Sequence, residues 1–325
     1  MTAKDIANSL GLSRATVGFV LNNTPGQTIS EATRRRVIAE ASRLGYRPHS
    51  AARALASGRT NTVLLMLPDW PIDFTMRNNI EEASQVLDEA GYALIFSTPH
   101  ESGKARPLWE TLEPDAVISY LPFEPETVKA MRDAGVTRLI PDPDNAATEI
   151  SEPGIELQVD YLAQLGHRKL AYAGPTDLRL AQLSENRWSV ARNSSAEREC
   201  TVNSVAIDFH DNSATLAVEL WLQEYVTGVL CYNDEVAAAV VGAALRLGVS
   251  IPDQLSIIGH DDAPIAALYQ PRLSTIRLDT AGLGRYLAEL TIATIEDRPA
   301  GEPHPLSSSV ELIVRETTAP PSIRR

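Results

Sequence analysis

Between Ser13 and Asn22 the sequence SRATVGFVLN sets hydrogen-bonding side chains along what the spacing predicts to be one short helix. Arg14 offers a planar fork of donors at its start. Ser13, Thr16 and Asn22 add hydroxyl and amide groups. Donors clustered at a helix N-terminus, where backbone N–H groups also point outward, suit phosphate oxygens and base edges. Arg34, Arg35 and Arg36 follow. They read either as a phosphate-contacting group or as a solvated charged face. The net charge of −13 would by itself argue against a polyanionic partner. Residues 1–60, however, hold nine Lys/Arg against three acids, net +6, and the remainder holds 20 against 39, net −19. A basic head on an acidic body assigns phosphate contact to the head.

The elements that must position these groups are legible upstream. Ile6, Ala7 and Leu10 form an apolar helical face, Gly11 ends that helix, and Leu12 plugs the turn. Ser13 then caps a second helix whose core face is Val17, Val20 and Leu21. This is the helix-turn-helix arrangement, whose second helix enters the DNA major groove. The alternative is an ordinary helical hairpin. Ser30 caps a third helix running to Leu44, with an apolar stripe of Val37, Ile38, Ala41 and Leu44, and Gly45 and Pro48 stop it. The segment SAARALASGRTN over 50–61 favours a helix of about two turns, too short to be stable alone. Leu55 is its one large apolar side chain, flanked by Arg53 and Arg59; a plain linker is the competing reading.

From Val63 onward the texture changes to short apolar runs alternating with amphipathic helices. The runs are VLLML (63–67), YALIFS (92–97), AVISY (116–120), RLIP (138–141), KLAYAG (169–174), TVNSVAI (201–207), GVLCY (228–232), LSIIGH (255–260) and VELIV (310–314). Such alternation predicts parallel sheets covered by helices on both faces. Nine runs exceed one ordinary sheet, so two doubly wound lobes are expected, with Thr280 to Val314 returning to the first. Ligands in such folds bind beyond the carboxyl ends of the strands, here between the lobes.

Other classes find no support. No Gly-x-Ser-x-Gly, phosphate loop or His-Glu-x-x-His occurs, and GLGRYL at 282–287 lacks the third glycine of a dinucleotide fingerprint. The six histidines show no ligand spacing, and Cys200 and Cys231 form no metal or disulfide pattern. His167, after Gly166 at a helix end, is placed where a cation would favour the helix dipole. No catalytic residue, metal or cofactor is expected. No signal-peptide core or membrane span is seen, so a soluble cytoplasmic protein with no membrane partner is expected.

The motifs KDIANSLGLSRATVGFVLN, ISEATRRRVIAEASRLGYRPHSAARALASGRTN, YLAQLGHRKLAYAG, YNDEVAAAVVGAALRLGVSIPDQLSIIGHDDAPIA, PRLSTIR and VELIVRETT resemble, in order and over 4–318, the LacI/GalR family of bacterial transcriptional regulators. The resemblance implies a helix-turn-helix DNA-binding domain over 1–48 and a hinge helix and linker over 49–61. It also implies a two-lobe, periplasmic-binding-protein-like (type I) α/β domain over 62–325 for effector binding and dimerisation. The N-lobe is then about 62–155 plus 280–318 and the C-lobe about 156–280.

It further implies a repressor that binds, as a homodimer, a pseudo-palindromic double-stranded operator under control of a small-molecule effector, in this family commonly a carbohydrate. The absence of a C-terminal heptad favours a dimer over a tetramer. By resemblance Arg14, Ala15 and Phe19 face the groove, and Leu55 is the hinge leucine that wedges into the minor groove. With Ser13, Thr16, Asn22, Arg34 and Arg53 they make the expected DNA-binding set. The effector set carried over is Trp70, Arg187, Phe209, Asn233 and Asp261, whose forks, amide, carboxylate and rings suit a hydroxylated ring. Asn233 and Asp261 could equally be helix or loop caps.

The chain departs from the family at Gly18-Phe19, where Ser-Arg is usual, and at Val190, where glycine is common. Phenylalanine cannot make arginine's bidentate bond to guanine. The competing readings are the same architecture controlled by a partner protein, and a two-lobe ligand-binding protein or enzyme with an incidental helical head.

Overall fold

A computed structural model describes residues 2–21, 26–46, 59–99, 105–144, 152–279, 281–299 and 310–322. The head consists of α1 (Ala3–Leu10), α2 (Arg14–Leu21) and α3 (Glu31–Arg43). Thr2 and Asp5 form a reciprocal cap on α1, and Gly11, at φ 65°, ends it in the left-handed conformation glycine tolerates. The Ser30 hydroxyl accepts from the Thr33 N–H to cap α3. Ile6, Ala7, Val17, Val20, Val37 and Ala41 are buried together, with Leu10, Leu12, Leu21 and Leu44 packed on them. Ile38, expected in that stripe, is 53% exposed instead. The hinge segment 50–57, and with it Arg53 and Leu55, lies outside the described residues, as does Asn22.

The first lobe contains β1 (Thr62–Met66), α4 (Phe74–Glu89), β2 (Ala93–Ser97), α5 (Leu108–Leu112), β3 (Ala116–Ser119), α6 (Pro125–Asp133) and β4 (Leu139–Ile140). Its sheet is parallel in the order β2-β1-β3-β4. Val63 and Leu65 of β1 pack to one face with Leu87, and Leu64 packs to the other with Val128 and Met131. Both faces are covered, and this is why β1 reads as an unbroken apolar run rather than an alternation.

The second lobe contains α7 (Pro153–Leu165), β5 (Lys169–Pro175), α8 (Ala181–Glu197), β6 (Thr201–Ile207), α9 (Ser213–Gln223), β7 (Gly228–Cys231), α10 (Asp234–Arg246) and β8 (Ser256–Ile258). Its sheet repeats the same winding, β6-β5-β7-β8, again parallel. A tenth strand, β9 (Thr275–Leu278), lies in the PRLSTIR stretch and was absent from the nine expected.

After β9 the chain makes α11 (Gly282–Ile295), which does return to the first lobe and buries Leu287, Ala288 and Ile292 there. The Gly284 N–H donates to Asn79 Oδ1 at 2.8 Å, and a Cβ at 284 would overlap the Asn79 carbonyl. β10 (Val310–Ile313) corrects the rest of that expectation. It pairs antiparallel with β9, and Val310 and Leu312 pack on the second-lobe core. The following residues stay there: Ile257 N–H donates to Thr317 O at 2.8 Å, and the Ser256 hydroxyl donates to Ala319 O at 3.0 Å. The physical reason is the partly unpaired edge of β8, which this tail satisfies.

His167 is likewise corrected. It is buried beneath the tail, with Nε2 bonded to Ala319 O at 2.9 Å and Nδ1 to the Thr227 hydroxyl at 2.8 Å. A carbonyl only accepts, so Nε2 carries the proton. Burial lowers the imidazole's pKa, so the ring is a neutral clamp rather than a cation on a helix dipole.

Candidate functional site

Two sites are built by this fold. The first is the outward face of α2. The Ser13 hydroxyl accepts from the Thr16 N–H at 3.0 Å and lies 2.8 Å from its hydroxyl, so both expected phosphate donors also cap the helix. Burial of Val17 and Val20 fixes the rotation of α2. Arg14 and Ala15 are thereby exposed, and Gly18 and Phe19 half-buried. Arg34, on α3, lies 4.0 Å from Glu31.

The second site is a cleft of about 410 Å³ between the lobes. Pro71 and Asp73 line it from the first lobe. Opposite them lie Pro175 to Asp177 after β5, Asp208 to His210 after β6, and Asn233 and Glu235 after β7. These second-lobe contributions come from the carboxyl ends of strands and the turns that follow them, as the doubly wound topology requires. Asp73, Asp177, Asp208 and Glu235 stand against Arg179 alone among the lining charges. Arg179 is already paired with Asp177 at 2.6 Å. The cleft carries surplus negative charge.

The expected effector residues divide. Phe209, 52% exposed, and Asn233 line the cleft. The Asn233 side chain, though, accepts from Val236 N–H at 2.9 Å as the cap of α10. Trp70 is next to the lining residue Pro71 but packs on the first-lobe core. Arg187 of α8 donates Nη1–H to Tyr232 O at 2.5 Å, lies 3.3 Å from Glu152, and stands 4.4 Å over the Tyr232 ring. Burial opposes the charge of Arg187, yet Glu152 with its neighbours outweighs that and raises its pKa. Asp261 takes a bond from His260 Nδ1 at 2.7 Å, in a loop where it holds a φ of 101°. That loop is held from beneath by Gln158, whose amide donates to Gly259 O at 2.6 Å.

Sequence reasoning missed Asp73. It caps α4, accepting from Met76 N–H at 2.8 Å, which is also all its sequence context suggests. In the fold its carboxyl is raised in pKa by burial and by Asp261 and Glu235 of the second lobe, while Arg187 lowers it. Arg187 and Asp261 thus act electrostatically on a residue that lines the cleft.

Comparison with known proteins gives a consistent picture. Residues 2–49 match the family described as "Bacterial regulatory proteins, lacI family", and residues 159–318 match "Periplasmic binding protein-like domain". The chain is 30% identical over 342 residues to the ribose operon repressor of Bacillus subtilis, covering 98% of both chains. It is 28% identical over 338 residues to the HTH-type transcriptional regulator GalR of Escherichia coli, covering 99% of this chain and 97% of that one. Among solved structures it resembles the lac repressor dimer bound to operator and the anti-inducer ONPF. The TM-score there is 0.75 at 22% identity, covering 98% of this chain and 99% of that one. It also resembles a LacI-family regulator from Enterococcus faecium with bound ribose. That match has a TM-score of 0.62 at 18% identity over 79% of this chain and 99% of the other.

Proposed function

This chain belongs to the lacI family of bacterial regulatory proteins, and we propose that it is a dimeric repressor whose operator affinity is set by a small molecule in the interlobe cleft. The family's work is DNA-binding transcriptional regulation, not catalysis. Two heads related by the dimer's two-fold axis would read a pseudo-palindrome. The DNA-contacting set proposed is Ser13, Arg14, Ala15, Thr16, Phe19, Asn22, Arg34, Arg53 and Leu55. The effector-contacting set proposed is Trp70, Arg187, Phe209, Asn233 and Asp261, joined by Asp73. The proposed units are the head over 1–48, the hinge over 49–61 and the two-lobe body beyond. Action on chromosomal DNA supports a cytoplasmic location. No described helix is long and apolar enough to cross a membrane.

One observation carries this reading: the chain joins a capped, outward-facing α2 to a cleft lined from both lobes. A ligand touching both lobes favours one closure over another. Closure would change the spacing of the two hinge segments in the dimer, and so whether they fold together on DNA. The surplus of carboxylates supports an unphosphorylated, hydroxylated effector such as a free sugar, since a phosphate would meet repulsion there. Selection of DNA from a random pool by the full-length protein tests the reading. Enrichment of a pseudo-palindrome is expected, and a pool that stays random overturns it.

A further inference from the structure

The hydrogen-bonding side chains of α2 and its cap, Ser13, Arg14 and Thr16, gather at its N-terminal end. Val17 and Val20 point into the core, and the Ser13 and Thr16 hydroxyls are engaged with each other at 2.8 Å. Arg14, Ala15, Gly18 and Phe19 remain. Phe19 is half-buried, yet among the described residues its ring is not one of the side chains packed on the head's core of Ile6, Ala7, Val17, Val20, Val37 and Ala41. Part of the ring therefore remains at the surface of α2. Ala15 and Phe19 are four residues apart on a helix and so are neighbours on one face. A Cβ at Gly18 would meet nothing within 4 Å, so the helix there presents bare backbone beside the ring. Among the described residues of α2, this face is an apolar row with one cationic fork at its N-terminal end.

The base edges in the major groove are donors and acceptors with one exception, the 5-methyl group of thymine. A phenyl ring set against guanine or cytosine would cover polar groups without satisfying them, which costs binding energy. Against thymine the same ring buries a methyl. We propose that Ala15 and Phe19 read thymine 5-methyl groups in each operator half-site, with Arg14 the hydrogen-bonding reader beside them. The inference rests on the reading of α2 as the groove-entering helix. It has a chemical corollary: 5-methylcytosine carries a methyl at the same groove position and substitutes in part for thymine, whereas uracil does not.

The test uses the full-length protein and the duplex it enriches from a random pool. Each thymine in the half-site is replaced singly by uracil, and separately the pair is replaced by cytosine or 5-methylcytosine opposite guanine. Loss of one buried methyl is expected to weaken binding about fourfold, the equivalent of roughly 0.8 kcal/mol. 5-Methylcytosine is expected to bind more tightly than cytosine at the same position. Phe19→Ala should bring the thymine-to-uracil ratio near one at the thymine the ring covers and leave it elsewhere, and Phe19→Leu should retain part of it. Phe19→Leu keeps most of the ring's apolar bulk, so a loss of thymine discrimination in a variant that melts like the parent separates recognition from folding. An enriched half-site lacking a required thymine, or affinities unchanged by uracil, overturns the proposal while leaving DNA recognition intact. Failure to enrich any sequence contradicts DNA recognition itself.

Discussion

Asp73 of the first lobe faces Asp261 of the second, close enough for the Asp261 carboxylate to add to the upward pKa shift that burial imposes on Asp73. The two lobes therefore meet at the cleft with like charges on either side, moderated by Arg187. The ionised form of Asp73 is thereby disfavoured at the cleft.

Replacing Asp73 tests this directly. Asn caps a helix as well as Asp, so Asp73→Asn keeps the cap on α4 and removes the charge. A carboxyl with a raised folded-state pKa loses stability as pH climbs through that pKa, and the penalty is absent below the unfolded value near 4. Asp73→Asn should accordingly melt higher than the parent at pH 8, and the gain should shrink toward pH 4. Equal melting temperatures at both pH values would show that the facing carboxylates do not matter.

His167 gives the opposite slope. Its pKa is lowered by burial, so the unfolded chain binds the proton more readily than the folded one. Its contribution to stability is present above the unfolded value near 6.5 and falls as pH drops below that. Denaturation between pH 7.5 and 5 should show a loss that His167→Gln flattens. The same experiment should find the C-terminal segment near Ala319 more open to hydrogen exchange at pH 5, since protonation disturbs the clamp on it. A parent and variant with the same pH slope would exclude this role.

Two glycines should respond in opposite directions to alanine. At Gly284 a Cβ would overlap the Asn79 backbone, so Gly284→Ala should destabilise the body by roughly 1–3 kcal/mol, the range for overpacking. At Gly18 the space is open and the backbone is helical, so Gly18→Ala should stabilise the head by about 0.5–1 kcal/mol. Urea unfolding of the two variants settles both. Similar effects at the two positions would mean that α11 does not cross α4 as closely as described.

Arg14 should matter to DNA and not to folding. It is exposed at the start of α2, so Arg14→Ala should leave melting unchanged. If it makes a bidentate base contact, operator affinity should fall by about 1–3 kcal/mol, with discrimination relaxed at one base pair. If instead it meets phosphate, affinity falls evenly across sequences and the salt dependence becomes shallower. No change in either measurement would remove it from the interface.

Much of this architecture is legible in the sequence, for stateable reasons. Strands buried on both faces, such as Val63 to Met66 and Gly228 to Cys231, stand out as apolar runs. Caps and stops such as Ser30 and Gly11 announce helix ends. What was not legible depends on contacts remote in sequence. β9 has only four residues and pairs with β10 across an intervening helix, so no local pattern marks it. The fate of Thr317 and Ala319 is decided by hydrogen bonds to Ile257 and Ser256, some sixty positions earlier. At the cleft, Phe209 and Asn233 are named by the family resemblance and both line it, whereas Asp73 reads as nothing but a helix cap until the second lobe is set opposite it.

Recognition of a particular sequence, rather than of DNA in general, is what the proposed head must achieve. The most direct measurement is the affinity of the full-length protein for its selected duplex and for a scrambled duplex of equal composition, at one fixed salt concentration near physiological. Specific recognition predicts a ratio of about 10³ or more. A ratio near one would contradict the account.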